Sequence, residues 1–348
     1  MSGSVRDISV ATDPVAAVLE AYTRGEQIAL RTSGTTTRPR SVLRTAASWV
    51  KSFPSVSRLT GIGPSSRVWV PGPLASTMNL FAASHARFVG AELLGSAVGA
   101  THACVTPAAL AQCLDDGADL GGVHVIAAGD RLVPGLAERA KAAGARVSHY
   151  YGAAELSFVA WGSHEQDLRV FPGVEVEIRE GQIWVRSPYL SLGYRAGSGP
   201  FRATEDGFAT VGDRGSLSGG VLTVAGRGVA AVLTGAATVL VDDVEQALRR
   251  ISGGEVVVVG VPHRRLGQVV GAVLTDRSTL ARVREAARTD LAPAQRPRLW
   301  FHLPQLPVTS AGKLDRGAVL ELVLSGRLAP VAPGAMVTDV ARSVGRQP

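Results

Sequence analysis

The sequence contains very little lysine. Only Lys51, Lys141 and Lys313 occur among its 36 basic residues, and the other 33 are arginines. These arginines are dispersed, without the blocks of five or six like charges that mark interaction tails. The formal net charge of +7 therefore does not indicate a basic stripe for nucleic acid, and we expect no nucleic-acid partner. Arginine has replaced lysine at most positions, so each remaining lysine is a candidate for a role that arginine does not fill.

Cysteine and long apolar runs are scarce as well. Cys104 and Cys113 lie nine positions apart in an alanine-rich segment that reads as a helix. This spacing indicates free buried thiols and matches no metal motif. No run approaches the roughly 18 apolar residues of a membrane helix, and the polar N-terminus lacks a signal-peptide pattern. We therefore expect a cytoplasmic protein without a membrane span.

The 348 residues suffice for two domains with substantial cores. From Val15 to about Gly226, short apolar runs alternate with alanine-rich helical stretches, a βαβ rhythm that predicts a parallel sheet covered by helices. Strands are predicted at 67–70, 123–127 and 147–151. Helices are predicted at 76–88, 108–114 and 132–143.

Beyond residue 162 the pattern changes to β-hairpins. In residues 174–187, apolar and polar side chains alternate with period two across a Glu-Gly turn, which predicts an antiparallel hairpin. Residues 215–227 show the same pattern across a Gly-Gly turn. A smaller α/β unit follows, with helices predicted at 242–250 and 279–291 and strands at 255–262 and 268–274. The predicted fold is α/β: a large N-terminal domain (1–226) with a parallel sheet and hairpins, a small mobile C-terminal α+β domain (227–327), and a flexible tail (328–348).

The segment "LRTSGTTTRPRSV" (30–42) has an unusual composition. Six small or hydroxyl residues, 32–37, follow an apolar strand and lead into Arg38 and Arg40. Backbone N–H groups, hydroxyls and positive charge together make a cradle for phosphate oxygens. The alternative is a flexible polar turn, which is what most such clusters are. It is not a P-loop, because no Gly-Lys-Ser/Thr sequence closes it.

Four further motifs follow this loop in a fixed order. They are "YYGAAE" (150–155), "DGFATVGDRG" (206–215), "GRGVAAVLTGAATVLVDDVE" (226–245) and "LPVTSAGKLDR" (306–316). In order and spacing, the five motifs resemble the acyl-adenylate-forming superfamily, which includes acyl-CoA synthetases, peptide-synthetase adenylation domains and luciferases. The resemblance covers roughly residues 29–322. The chain begins almost at the phosphate loop, and this abbreviated form looks most like the short o-succinylbenzoate–CoA ligases of actinobacteria.

The resemblance implies a reaction and a set of substrates. An acid would attack the α-phosphate of ATP and release pyrophosphate, and a thiol of CoA or an acyl carrier would then displace AMP from the acyl-AMP. Preplaced donors and cations must meet the charge that builds on the phosphates. The resemblance implies that five loop residues hold the β- and γ-phosphates, with Arg40 supplying charge: Thr32, Ser33, Gly34, Thr35 and Thr36.

The resemblance also assigns roles to residues outside the loop. Glu155 would ligate Mg²⁺, a hard cation that prefers oxygen. For the nucleoside, Tyr151 and Gly152 would lie at the adenine, Gly129 would present its backbone there, and Asp213 would accept from the ribose hydroxyls, with Arg227 nearby. Lys313 would bridge acyl carboxylate and phosphate during adenylation. Gly235 would line the path of the CoA pantetheine.

Several positions depart from the family pattern. Thr37 stands where the phosphate loop usually has glycine, and Arg40 where it usually has lysine. Ala154 replaces a threonine, so one hydroxyl donor to the α-phosphate is missing, a loss of about 2.7–4 kcal/mol if that donor acts in the transition state. Val229 occupies the hinge position, and Ala236 replaces the second of two paired glycines. "PLAST" (73–77) stands where an aromatic-His segment usually lines the acyl pocket.

Structural alternatives exist for three of the candidates, whereas Lys313, one of three lysines and on a glycine-containing loop, favours a functional role. Tyr151 fits a core tyrosine, Asp213 a turn aspartate and Glu155 a helix cap. His85 and His149 are interpreted as structural or pocket-lining, and no Gly-x-Ser-x-Gly elbow supports a serine hydrolase. The leading hypothesis is an ATP-dependent acid–thiol ligase. The alternatives are an adenylating enzyme with a non-CoA acceptor and a degenerate, non-catalytic nucleotide-binding relative.

Overall fold

The computed structural model describes residues 4–31, 40–196, 199–226, 231–234, 237–309 and 312–331. The chain divides into two compact units, one of residues 1–224 and 310–313, the other of residues 225–309 and 314–348. Each unit has hydrophobic cores of its own. Across the described ranges, none of the helices is long and apolar enough to cross a membrane.

Some helices of the described residues begin at clear sequence signals for helix starts. Asp13 accepts hydrogen bonds from the N–H groups of Val15 and Ala16, and Thr106 accepts from Ala109, each just before a proline at the first helical position. The α-helices are α1 (Pro14–Thr23), α2 (Ala46–Val50), α3 (Phe53–Thr60), α4 (Thr77–Phe88), α5 (Pro107–Asp115), α6 (Pro134–Ala142), α7 (Val241–Ser252), α8 (Leu280–Asp290) and α9 (Arg316–Leu324). Short 3-10 turns lie at Ile8–Val10 and Arg277–Thr279.

The strands of the described residues form three sheets. The first twelve are β1 (Val5–Asp7), β2 (Gln27–Arg31), β3 (Ser41–Thr45), β4 (Arg67–Trp69), β5 (Glu92–Leu94), β6 (His102–Val105), β7 (His124–Ala127), β8 (Arg146–Ala153), β9 (Ser157–Gly162), β10 (Arg169–Val170), β11 (Glu175–Arg179) and β12 (Gln182–Arg186). The others are β13 (Gly193–Ala196), β14 (Arg202–Ala203), β15 (Ala209–Thr210), β16 (Arg214–Ser218), β17 (Val221–Gly226), β18 (Ala231–Thr234), β19 (Ala237–Leu240), β20 (Val256–His263), β21 (Gly267–Leu274) and β22 (Leu299–His302).

The first unit contains the parallel sheet that the sequence predicts. Strands run parallel in the order β5–β4–β6–β7–β8. All four residues of β6 and of β7 are buried, as expected of parallel strands covered by helices on both faces. The predicted alternation of helices and strands is therefore confirmed in this half of the unit.

Antiparallel strands extend this sheet beyond β8. β9 returns antiparallel to β8, and the order continues through β10, β17, β16, β12, β15 and β14. The hairpin of β11 and β12 turns at Glu180 (φ 51°) and Gly181 (φ 76°), the double positive φ of a type I′ turn. Gly219 (φ 56°) and Gly220 (φ 76°) turn the second predicted hairpin. Both hairpins are confirmed.

A separate four-stranded sheet, β1–β2–β3–β13, flanks the loop predicted to bind phosphates. Residues 32–39 of that loop lie outside the described residues. β2 and β3 pair antiparallel from Gln27 with Thr45 to Arg31 with Ser41. The predicted strand before the loop is thus confirmed, and Arg40 is the first described residue after it.

The second unit packs helices on a five-stranded sheet, in the order β19–β18–β21–β20 with β22 beside β21. Alternate valines of β20 point into two cores, Val256 and Val258 into one and Val257 and Val259 into the other. α7 places aspartates in its first turn and arginines in its last, which complements the helix dipole. The predicted helices and strands of this unit are all present, with shifts of a few residues.

A buried ion cluster joins three elements of the second unit. Glu245 of α7 is fully buried and accepts a 2.8 Å hydrogen bond from the Val258 N–H. Arg249 donates to it at 2.5 Å, and both terminal nitrogens of Arg316 on α9 donate to its two oxygens. Burial alone would raise the pKa of Glu245, but the two guanidinium groups hold it below its ordinary value.

One predicted helix is wrong in part. Cys104 lies on β6, and only Cys113 lies on a helix, α5. A run as short as 102–105 cannot be assigned to strand or helix from periodicity alone, and the helix starts only at the Thr106 cap. Both thiols are free, with Cys104 buried and Cys113 half-buried. Within the segment predicted as a flexible tail (328–348), the Val331 N–H donates a hydrogen bond of 2.7 Å to the Trp300 carbonyl.

Candidate active site

The carboxyl end of β8 carries Tyr151, which meets the loop between β15 and β16. The Tyr151 hydroxyl donates a hydrogen bond of 2.7 Å to Oδ2 of Asp213. Asp213 is 8% exposed, and its loop is held to β12 because the Ile183 N–H donates to the Asp213 carbonyl at 2.8 Å. The contact joins two residues, 62 positions apart, that the sequence assigns to the same nucleoside.

The turn after Tyr151 leaves no room for a side chain at Gly152. A Cβ built there would lie 2.2 Å from the Ser157 carbonyl oxygen. The ladder between β8 and β9 shifts register at this point, and Ser157 has a φ of 62°, uncommon for a residue other than glycine. The close approach of β9 therefore requires glycine at 152, and the resulting tight turn fixes the position of Glu155.

Glu155 is buried in this turn and held from β13. It is 6% exposed, and the Tyr194 hydroxyl donates a 2.7 Å hydrogen bond to its Oε1. Burial and this hydrogen bond raise the pKa of Tyr194, while the positive charge of Arg40 lowers it. Tyr194 is therefore a neutral donor at physiological pH. Arg40, at the end of the predicted phosphate loop, acts on the same pair.

A second cation, Arg44 on β3, lies within electrostatic reach of Glu155. Its side chain is fully buried; Nη2 donates to the Tyr189 carbonyl at 3.0 Å, and the guanidinium lies 5.4 Å from the Trp49 ring centre. In the described structure, Nε and Nη1 are buried without a hydrogen-bond partner. Burial lowers the pKa of Arg44 to about 9, against the opposing charge of Glu155, so the group stays charged at neutral pH.

Gly129 and the Lys313 loop both lie against Thr106. Gly129 follows β7 with a φ of 86°, and a Cβ there would lie 3.3 Å from Sδ of Met78 and 3.7 Å from Cγ2 of Thr106. Gly312 has a φ of 72°, and a Cβ there would lie 2.9 Å from the Thr106 hydroxyl oxygen. Gly312 and Lys313 group with the first unit. Thr106 therefore lies next to both Gly129 and the loop that carries Lys313.

The remaining predicted site residues lie outside the described residues, and their roles stay predictions. They are Thr32, Ser33, Gly34, Thr35, Thr36, Arg227 and Gly235, together with the departures Thr37, Val229 and Ala236. Ala154 is described and lies in the turn beside Glu155.

His149 and His85 fit the structural interpretation. His149 is buried, and its Nδ1 lies 2.9 Å from the Ala127 carbonyl oxygen. Burial lowers the pKa of His149 to about 4, so the ring is neutral at pH 7. His85 lies 2.8 Å from the Ser57 hydroxyl, and burial likewise lowers its pKa to about 4.

Sequence reasoning missed Tyr194 and Arg44. Tyr194 sits 39 residues from Glu155, outside every motif, and no local pattern points to it. Arg44 had a weak signal, since it follows Val42 at the two-residue period of a strand and shares its buried face.

The donor set fits a magnesium ion better than a metal held by protein alone. Among the described residues, no three His, Cys, Asp or Glu side chains gather into a metal site. Mg²⁺ is usually bound by one or two carboxylates plus substrate phosphates and water. Within the described contacts only Oε1 of Glu155 is hydrogen-bonded, which leaves Oε2 for such an ion.

Known proteins resemble this chain over most of its length. The probable 2-succinylbenzoate–CoA ligase of Mycobacterium tuberculosis is 28% identical over 340 residues, covering 87% of this chain and 88% of that protein. The uncharacterized acyl–CoA ligase YhfT of Bacillus subtilis is 27% identical over 326 residues, covering 83% and 67%. The structure of E. coli MenE with a bound analogue of OSB-AMS matches with a TM-score of 0.68 at 23% identity, covering 86% and 69%, a likeness that bears on the fold alone.

Two family matches agree with the order of the motifs. The AMP-binding enzyme family matches residues 29–195, and the AMP-binding enzyme C-terminal domain matches residues 229–313. The predicted α/β fold class is confirmed by the sheets of both units and by the structural neighbours. From these matches we conclude that the chain belongs to the AMP-binding enzyme family.

Proposed function

We propose that this enzyme activates a carboxylic acid with ATP and then transfers the acyl group to the thiol of CoA. A carboxylate oxygen attacks the α-phosphorus of ATP, the bond to the bridging oxygen breaks, and pyrophosphate leaves. The CoA sulfur then loses its proton to solvent and attacks the acyl carbon, and AMP leaves with the bonding electron pair. The single observation that carries the proposal is the hydrogen bond from Tyr151 to Asp213 beside the buried Glu155, in a member of this family.

The nucleoside would lie at the carboxyl ends of β7 and β8. Asp213 offers acceptor oxygens to the ribose hydroxyls, and its bond to Tyr151 fixes the tyrosine ring for stacking on adenine. Gly129 leaves backbone uncovered where the base would lie. A side chain would find little room at Gly129 or at Gly152.

The triphosphate would be held by the loop 32–36, Arg40 and Glu155. Positive charge from Arg40 and hydroxyls of the loop would offset charge that grows on the leaving pyrophosphate. Glu155, oriented by Tyr194, would hold Mg²⁺ through Oε2, and the ion supplies further charge neutralisation at the phosphate oxygens when bound. Arg44 keeps positive potential near the Glu155 carboxylate.

Lys313 would bring a compact positive charge to the acid carboxylate and the α-phosphate during adenylation. Two observations support this role: its loop groups with the first unit, and it approaches the Thr106 hydroxyl closely at Gly312. It is also one of only three lysines in an arginine-rich chain.

Fewer observations support the identity of the acyl acceptor than support the adenylation step. The names of the relatives support CoA. The sequence supplies a specific reason for a second candidate, transfer to a non-CoA acceptor, because Ala236 and Val229 depart from the residues usual at the pantetheine path and hinge.

The test is acid-dependent ATP–pyrophosphate exchange with aryl, short-chain and long-chain acids, repeated as thioester formation with CoA. We expect exchange with at least one acid, its loss in Lys313→Ala, and partial recovery in Lys313→Arg. Lys51→Ala, at the exposed end of α2, is the matched control and is expected to behave as wild type. Equal exchange in wild type and Lys313→Ala would overturn the assignment. Exchange without thioester would favour the second candidate.

A further inference from the structure

A small apolar cavity lies in the first unit between α3, α4 and strands β6–β9. Its volume is about 30 Å³, room for two to three water-sized groups at roughly 10–15 Å³ each. Aromatic and aliphatic side chains dominate the lining, which includes Met78, Phe81, His85, Tyr150, Phe158 and Trp161. An apolar cavity of this kind takes hydrocarbon more readily than water or charge.

Three lining residues adjoin three residues of the proposed nucleotide site. Tyr150 directly precedes Tyr151 on β8. Phe158 pairs with Gly152 across the β8–β9 ladder. The sulfur of Met78 lies 3.3 Å from the Cβ position of Gly129. A group attached to the α-phosphate of a nucleotide bound at this edge would therefore have this cavity beside it.

No described side chain in the lining carries a charge at neutral pH. His85 is held neutral because burial lowers its pKa to about 4, and its Nε2 is engaged by the Ser57 hydroxyl. Burial also raises the pKa of Tyr150 and of Cys104, so both stay protonated. Tyr150 and Trp161 stack on each other at 5.6 Å with an interplanar angle of 10°, which fixes one wall. A carboxylate that entered this space would lose its hydration without gaining a cationic partner among these residues.

We propose that this cavity receives the tail of the acid, and that the substrate is a monocarboxylic acid with a short, uncharged tail of a few carbons. The inference rests on the proposed function and narrows it to a substrate class. Adenine is excluded as the occupant because its ten ring and amino atoms exceed the space. 2-Succinylbenzoate, the acid named for the M. tuberculosis relative, carries a second carboxylate that this lining leaves unpaired.

The wild-type enzyme tests the inference with matched acids in the exchange assay. Butyrate and succinate share a four-carbon chain and differ by one carboxylate. We expect kcat/KM for butyrate to exceed that for succinate by at least about a hundredfold, and octanoate to fall below butyrate. Succinate or 2-succinylbenzoate at or above butyrate would overturn the inference while leaving the proposed function intact. No exchange with any acid would overturn the proposed function, and this inference with it.

A charged variant tests whether the lining of the cavity determines which acid the enzyme prefers. Met78 is half-buried in the first turn of α4, so Met78→Arg places a cation at the lining with little disturbance of the core. We expect the succinate-to-butyrate ratio of kcat/KM to rise by at least about tenfold. Val98→Arg adds the same charge at a side chain 86% exposed and outside the lining, and should leave the ratio unchanged. An unchanged ratio in folded Met78→Arg, checked by circular dichroism, would overturn the assignment of the cavity to the acid tail.

Discussion

Replacing Tyr194 by phenylalanine isolates one hydrogen bond at the proposed magnesium ligand. The change deletes only the hydroxyl that donates 2.7 Å to Oε1 of Glu155. The ring stays in place because it packs closely on Gly199, where a Cβ would lie 2.2 Å from the Tyr194 ring. Glu155 would remain 6% exposed but would lose the donor that orients it.

The expected magnitude follows from that geometry. A hydrogen bond to a charged group contributes about 1.5–3 kcal/mol net, so the free energy of unfolding should fall by that amount. Loss of a partner that orients a metal ligand usually costs about 10–100-fold in metal affinity or activity. We therefore expect the Mg²⁺ concentration for half-maximal ATP–pyrophosphate exchange to rise by about 10–100-fold in Tyr194→Phe.

The assay is exchange measured across a Mg²⁺ series at fixed ATP, with urea denaturation alongside. Tyr189→Phe is the matched control, because the Tyr189 hydroxyl donates at 3.0 Å to the neutral carbonyl of Pro172. That variant should lose only about 0.5–1.5 kcal/mol of unfolding free energy and keep the wild-type Mg²⁺ dependence. If both variants show the same Mg²⁺ dependence, Glu155 is a structural carboxylate and the magnesium assignment fails.

Two further predictions concern stability. Gly152→Ala places a Cβ 2.2 Å from the Ser157 carbonyl oxygen and should lower the free energy of unfolding in urea by about 1–3 kcal/mol or more. The control Gly63→Ala has open space around its Cβ and should leave that free energy unchanged. Equal effects of the two variants would refute the close approach at Gly152. Glu245→Gln removes the buried carboxylate that Arg249 and Arg316 share, although Glu255 stays 3.4 Å from Arg249 Nε. The change should cost about 3–5 kcal/mol at pH 7, whereas Glu321→Gln, in an exposed pair with Arg327, should cost at most about 1 kcal/mol. Because the folded pKa of Glu245 lies below its ordinary value of 4.5, its contribution is present above that pH and is lost as pH falls through the folded pKa; a difference between wild type and Glu245→Gln that does not shrink in acid would refute the cluster.

The sequence predicts regular elements well where a local signal repeats. The β11–β12 hairpin follows from alternation around Glu180 and Gly181, and α5 corresponds to the alanine-rich helix predicted at 108–114. The strand His102–Val105 cannot be told from a helix by its sequence, because so short a run carries no clear period. Tyr151 and Asp213 are candidate site residues because the family pattern names them, and the fold brings the two side chains into contact.

Arg44 shows why the rest of the site is harder to predict. In β3, Val42 and Arg44 share the buried face, while Ser41, Leu43 and Thr45 are only partly buried. Binary patterning predicts the opposite orientation of this strand, with Leu43 in the core and Arg44 in water. A sequence-based prediction therefore does not place Arg44 near the site. The fold tolerates the opposite arrangement because Trp49, the Tyr189 carbonyl and the charge of Glu155 each offset part of the desolvation of the guanidinium. Those three groups come from three separate segments of the chain. A charged residue on the apolar face of a strand next to a substrate loop is therefore better interpreted as part of the site than as an error in the strand assignment.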